Sequence, residues 1–208
     1  MFVKGALLWS GDSHAAQGNG EVNLTALETA FKELNLTIEV IKGKPLTWPR
    51  IETPTHWLTV GYDLDLNKAL DVLKAETTAF IAETKKMSTA DAATQMQKMW
   101  DCPVAEVVNQ VKGLYCFNSK DTATPPASLP TADTAVAYVT TGKDADLNKA
   151  MDMASLAMVD ALQTKQKLAR LDAYGVASIA MDCRVAPHKD GPKTVHCMTL
   201  KSIFTATP

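Results

Sequence analysis

The stretch Gly11-Asp12-Ser13-His14-Ala15-Ala16-Gln17-Gly18-Asn19-Gly20-Glu21 sets two carboxylates, an imidazole and a carboxamide among glycines and small residues. A plain hairpin uses Gly and Asn, but not Asp, His, Gln and Glu together beside them. Asp12 and His14 stand at i and i+2, so an extended backbone points both to one face. The glycines can then reverse the chain and return Glu21 toward them. Two oxygens and a nitrogen converging this way hold a divalent metal (zinc or calcium), or place a water beside a carboxylate base. Gln17 suits the orientation of a substrate amide. The bland alternative is a polar turn in which Asp12 and His14 bond their own backbone.

A second polar group follows at Arg50, Glu52 and His56. Glu52 and His56 are four apart but lie among Pro49 and Pro54, so they share no helix face. Glu52 is a candidate substrate-binding residue, with Arg50 as its expected ion-pair partner.

These residues must be positioned by the rest of the chain, and the chain repeats itself. At an offset of 81, residues 55–120 lie over 136–201 without a gap, and 19 of the 66 pairs are identical by direct count. Chance would give roughly four at ordinary amino-acid frequencies. Asp65-Leu66-Asn67-Lys68-Ala69 lies over Asp146-Leu147-Asn148-Lys149-Ala150, Asp101-Cys102 over Asp182-Cys183, Tyr115 over His196 and Cys116 over Cys197. Each copy reads as a strand (Trp57–Val60 or Tyr138–Thr141), two helices, and two β segments such as Val104–Val108 and Leu114–Phe117. Asp65 and Asp146 are the expected N-caps of the first helices, and Ser88 with Asp91 suggests a capping box. The apolar face of the first helix is Leu66, Ala69, Leu70, Leu73, Phe80 and Ile81. Its counterpart is Leu147, Ala150, Met151, Ala154, Met158, Ala161 and Leu162. Met151, Met153 and Met158 are read as packing. Residues that recur in both copies are read as structural: the four cysteines as small core side chains, Asp101 and Asp182 as hydrogen-bonding groups.

The predicted fold class is therefore α+β: a strand-rich segment over 1–50 carrying the Asp/His motif, then duplicated β-α-α-β-β units over 51–124 and 132–208, packed about a pseudo-two-fold axis. The proline-bearing stretch 121–130 links the copies. Within 1–50, Leu36-Thr37-Ile38-Glu39-Val40-Ile41 alternates as a strand does.

Composition narrows the function classes. The 208 residues are 46% hydrophobic and 21% charged, with a net charge of −2, ordinary values for a soluble globular protein. No basic cluster points to nucleic acid or to an anionic membrane surface. No apolar run approaches the roughly 20 residues of a membrane span. Met1–Trp9 is too short an apolar stretch for a signal peptide, so a cytoplasmic location with reduced cysteines is expected, export remaining open if a longer N-terminus exists. Four cysteines without a C-x-x-C pair argue against a zinc ribbon.

The phrase GDSHAAQGNGE resembles the GDxHAxQGDGE signature of the acetamidase/formamidase family of amidohydrolases. Trp48–Trp57 (WPRIETPTHW) is similar to that family's WPRxETPxH segment. Leu171-Asp172-Ala173-Tyr174 and Met181-Asp182-Cys183-Arg184-Val185 resemble its DAY and D-x-R-V motifs, and Val195-His196-Cys197-Met198 with Lys201-Ser202-Ile203-Phe204 its VHxM…PKxIF ending. The matching segments run from residue 11 to residue 204 in the family's order. The sequence departs from the pattern at Ala186-Pro187-His188-Lys189-Asp190, where Gln and Val-Asp are usual after R-V, and at Leu200, where Pro is usual.

The resemblance implies hydrolysis of small linear amides, such as formamide or acetamide, to carboxylate and ammonia. It directs attention to Asp12, His14 and Glu21 as catalytic residues, with Glu21 the general base and later the acid. Asp12 and His14 would be the ligands if a metal polarises the carbonyl. Gln17 and Glu52 would bind substrate. Family members generally carry a further β portion before the signature. On that ground Phe2–Trp9 is expected to be an interior strand with an open edge. The chain alone is expected to be a poor catalyst that self-associates as a homo-oligomer or binds a complementary N-terminal portion. The reading from another class is a truncated, non-catalytic amidase-like remnant or binding subunit.

Overall fold

The computed structural model describes residues 13–43, 46–121, 126 and 130–204. Asp12, the expected strand Phe2–Trp9 and most of the linker lie outside the described residues. The architecture is α+β, with antiparallel sheets and four helices among the described residues.

The chain begins with two short strands, β1 (His14–Ala16) and β2 (Leu27–Glu28), which pair with each other. Strand β3 (Arg50–Glu52) opens the main sheet. Strand β4 (His56–Asp63), helices α1 (Leu66–Lys85) and α2 (Thr89–Lys98), and strands β5 (Cys102–Glu106) and β6 (Lys112–Ser119) follow. The same order recurs as β7 (Ala137–Asp144), α3 (Leu147–Gln166), α4 (Arg170–Ala180), β8 (Met181–Val185) and β9 (Lys193–Leu200), closed by a 3-10 turn at Lys201–Phe204. The seven strands of the main sheet lie in the order β3-β4-β6-β5-β8-β9-β7. Its centre is the β5–β8 pairing, Cys102 opposite Val185 and Pro103 opposite Arg184.

The helix starts follow from their caps. Asp65 and Asp146 accept from the backbone N–H of Asn67 and Asn148, and the Ser88 side chain accepts from the N–H of Asp91. Helices α1 and α3 pack on the sheet, α2 on α1 and α4 on α3. The stripes Leu66, Ala69, Leu70, Leu73, Phe80, Ile81 and Leu147, Ala150, Met151, Ala154, Met158, Leu162 are buried in one core with Val104, Leu114, Val185 and Val195. Met153 departs from expectation and is 49% exposed. It stands two residues from Met151, about 200° around the helix, and so leaves the buried stripe.

The cysteines also depart from expectation. They are not free thiols: Cys102 bonds Cys116 and Cys183 bonds Cys197, with Cα atoms 4.1 and 4.0 Å apart. Cys183 stands directly opposite Cys197 in the β8–β9 ladder, which brings the two sulfurs within bonding reach. The repeat marked these positions as equivalent, but their pairing depended on strand register.

Residues 36–41 form no strand. Leu36, Ile38, Val40 and Ile41 are 59, 59, 62 and 70% exposed, and no ladder pairs them among the described residues. Alternation yields a strand only where a neighbour supplies hydrogen bonds and a face to cover. No helix among the described residues is long and apolar enough to cross a membrane.

Candidate functional site

The second half of the Gly/Asn motif is sewn into the centre of the main sheet. Beyond Pro103–Arg184 the paired strands β5 and β8 part, and residues 18–22 fill the gap. Gly18 N–H donates to Ser178 O (2.8 Å), Cys183 N–H to Asn19 O (2.8 Å), Gly20 N–H to Ala105 O (3.2 Å) and Val107 N–H to Glu21 O (3.2 Å). The glycines are needed for this fit. At Gly18 a Cβ would stand 2.9 Å from Ser178 O and closer still to Met181 O. At Gly20, where φ is +101°, it would meet Met151 Cε at 2.8 Å and Cys183 Cβ at 3.1 Å. Just beyond, Tyr174 Oη donates to Val22 O (2.6 Å), so the Asp-Ala-Tyr segment on α4 also grips this loop.

Asn19 carries the loop into a polar network. Its Nδ2 donates to Asp182 Oδ1 (2.9 Å), and its Oδ1 accepts from Tyr115 Oη (2.6 Å). Asp182 in turn receives Arg184, from Nε to both carboxylate oxygens (3.2 Å) and from Nη2 to Oδ2 (2.9 Å). Arg184 Nη1 donates to Asp101. Asp101 and Asp182 thus clamp one guanidinium between them, with side-chain exposures of 12, 22 and 20% for Asp101, Asp182 and Arg184.

Burial sets the proton affinities here. It pushes the Asp101 carboxyl above its ordinary value, although the Arg184 charge pulls the other way. Burial and then Asp182 push the Tyr115 phenol up to about 12, so at neutral pH it stays protonated and donates to Asn19. Burial opposes the Arg184 charge, but Asp182 and Asp101 more than offset it and hold the guanidinium pKa above its usual value.

A cavity of about 380 Å³ opens beside this network. Asp101 and Arg184 line it, with Lys98, Trp100, Pro187 and His196. His196 pairs with Arg184 in the β8–β9 ladder, and its Nδ1 lies 2.8 Å from Thr141 Oγ1. Burial lowers its pKa below 6.5, so the imidazole is neutral at pH 7. The cavity therefore holds a partly buried carboxylate, a guanidinium and a neutral imidazole, which suits proton transfer and stabilisation of a developing oxyanion.

The residues singled out in the sequence are distributed differently. His14 meets Gln17 (Nδ1 to Oε1, 3.1 Å) and Glu28 (Nε2 to Oε1, 3.3 Å) on the β1–β2 hairpin. Glu21 bridges to Glu106 on β5. Glu52 lies on edge strand β3 and pairs with Lys120 (2.6 Å), while Arg50 pairs with Glu83 (2.9 Å) instead of Glu52. The antiparallel β3–β4 ladder sets Arg50 opposite Thr59, within reach of α1. The structure thus brings His14 and Gln17 together and holds Glu52 elsewhere. No group of three or more His, Cys, Asp or Glu that could hold a metal ion occurs among the described residues. Asp101 and Asp182 hydrogen-bond as the repeat suggests, while the roles of Asn19, Tyr115 and Arg184 in the network emerge only from the fold. The signal available was the repeat, which set Asp101 over Asp182 and Tyr115 over His196.

No family model matches the chain, and no curated protein or solved structure shows significant similarity to it.

Proposed function

We propose that this chain is an amidohydrolase of the acetamidase/formamidase type that cleaves a carboxamide with water to give a carboxylate and ammonia. One observation carries the reading. Four of the segments that resemble the family's motifs, far apart in sequence, meet at one place: Asn19 of GNGE on Asp182 of DCRV, Tyr174 of DAY on Val22, and His196 of VHCM beside Arg184. In this reading the amide carbonyl faces the Arg184 guanidinium, which stabilises the tetrahedral oxyanion. Asp101 or His196 takes a proton from the attacking water and returns it to the departing nitrogen as the C–N bond breaks. Asn19 and Asp182 are positioning residues for Arg184.

The alternative seat of water activation is the β1–β2 hairpin, with Asp12, His14 and Glu21 as catalytic groups and Gln17 and Glu52 as substrate-binding groups. It is favoured by the imidazole of His14 lying between an amide and a carboxylate. A divalent metal, zinc or calcium, belongs to this alternative with Asp12 and His14 as ligands. The described residues offer it no three-ligand group.

The deciding experiment is ammonia release from short amides by the parent chain, Asp101→Asn and His14→Ala. Loss on Asp101→Asn with retention on His14→Ala supports the cavity. The reverse supports the hairpin. No release from any amide leaves the non-catalytic binding reading.

We further read the two β-α-α-β-β runs as a duplication about a pseudo-two-fold axis, supported by equivalent positions Pro103 and Arg184 facing each other at the sheet centre. Self-association as a homo-oligomer, or capture of a complementary N-terminal portion, is supported by the apolar surface at Leu24, Phe31, Ile38 and Ile41, each more than half exposed. Of the two compartments considered, cytoplasmic and exported, the disulfides favour the exported one.

A further inference from the structure

We infer that the cavity beside Arg184 selects carboxamides bearing an apolar substituent over formamide and acetamide. The inference rests on the amidohydrolase reading and names its substrate class. Three features of the cavity lead to it.

The first is size. Formamide has three heavy atoms and fills about twice the ~30 Å³ share of a liquid water. The cavity measures about 380 Å³, within the range of sites that enclose much larger ligands. A ligand that occupied only the Asp101–Arg184 end would leave most of it to water.

The second is the character of the walls. Trp100, Val185, Ala186 and Pro187 are among the lining residues. The polar edge of Trp100 is withdrawn, since its Nε1 donates to Val185 O at 2.7 Å. What these four offer a ligand is largely apolar, and burying a hydrocarbon against them is favourable by about 25 cal/mol per Å².

The third is the polar end. Of the five N–H donors of a guanidinium, Arg184 commits three to Asp182 and Asp101, leaving two uncommitted among the described residues. Arg184 and the Asp101 carboxylate both line the cavity and are paired, so they offer it a donor group beside an acceptor. A primary amide presents the complement, a carbonyl acceptor beside an N–H donor. Lys98, Asp101 and Arg184 line the cavity, and Asp182, which does not, pairs with Arg184; together the four are neutral, so a neutral ligand fits better than an anion.

The test is titration calorimetry of the full chain with formamide, acetamide, butyramide, benzamide and benzoate, with ammonia release measured on the same amides. Butyramide and benzamide should bind at least tenfold tighter than acetamide, and benzoate more weakly than benzamide. Ala186→Phe, which enlarges an apolar lining residue, should weaken benzamide at least tenfold and acetamide less than twofold. Equal affinities across the amides, or benzoate binding as tightly as benzamide, overturn the inference even if acetamide is hydrolysed. Selective benzamide binding with no ammonia released from any amide supports the selectivity and overturns hydrolysis instead. The ligand series on the parent chain decides the matter if Ala186→Phe does not fold.

Discussion

Asn67 and Asn148 reach across the junction of α1 and α3 to each other's caps. Asn67 Nδ2 donates to Asp146 Oδ1 at 2.7 Å, and Asn148 Nδ2 donates to Asp65 Oδ1 at 2.8 Å. The two asparagines are 81 positions apart, the offset of the repeat. Each also accepts a backbone N–H of the other helix, Leu147 to Asn67 and Leu66 to Asn148. Unpaired N–H groups at two helix starts are thereby satisfied reciprocally. Asn67→Ala and Asn148→Ala should each cost about 1–2 kcal/mol, lowering Tm by about 2–4 °C per kcal/mol for a chain of this size. Because the pair acts as a unit, the double variant should cost measurably less than the sum of the singles.

The same junction sets an acid limit. Hydrogen bonds from Asn148 and then Asn67 hold both cap carboxyls below 3.8, Asp146 at about 2. A carboxyl with a depressed folded pKa adds stability that is present above its unfolded value and lost as pH falls through the folded one. Circular dichroism of acid unfolding should therefore show stability falling between pH 3.8 and about 2. Asp146→Asn should flatten that part of the curve.

Gly20→Ala should destabilise by about 1–3 kcal/mol, from a left-handed φ and from overlap with Met151 and Cys183. Gly43 supplies the control. Its φ is +74°, but nothing lies within 4 Å of its Cβ position, so Gly43→Ala should carry only the backbone part of the cost. Urea midpoints compared at constant m-value would separate the two, and equal losses would show that the crowding at Gly20 relaxes freely.

Alkylation of unreduced protein followed by mass spectrometry should find no modified thiols, since all four cysteines are bridged. Each bridge spans 14 residues, and loops of that length stabilise by about 3 kcal/mol in the chain-entropy account. Reduction, or Cys183→Ser with Cys197→Ser, should lower the thermal midpoint. Four alkylated thiols in native protein would overturn this.

If Asp101 activates water, the acid limb of the pH–rate profile lies above 3.8; if His196 does, it lies below 6.5. Burial raises Asp101 from the lower value and lowers His196 from the upper one. The base must be unprotonated, so the rate rises with pH through the limb. Asp101→Asn should abolish the rate and leave Tm close to the parent's. His196→Gln should reduce it by about 10²–10⁴-fold if the imidazole is the base. A limb above 6.5 would exclude His196, and a limb below 3.8 would exclude Asp101.

Local signals were legible in the chain before folding. The Asp65, Asp146 and Ser88 caps and the buried stripes of α1 and α3 follow from spacing alone, because a helix's period and its orphan N–H groups are local. The order strand-helix-helix-strand-strand could be read twice for the same reason. What the tertiary structure decided is whatever depends on partners distant in sequence. Leu36–Ile41 alternates without becoming a strand because no neighbour among the described residues pairs with it. Cys183 and Cys197 are bonded because antiparallel register sets them opposite each other. The motif residues divide for this reason too: His14 stays with the local hairpin, while Asn19 is drawn 163 positions along the chain to Asp182. A partly buried carboxylate and guanidinium have meaning only as a pair, and their pairing is set by where two strands meet.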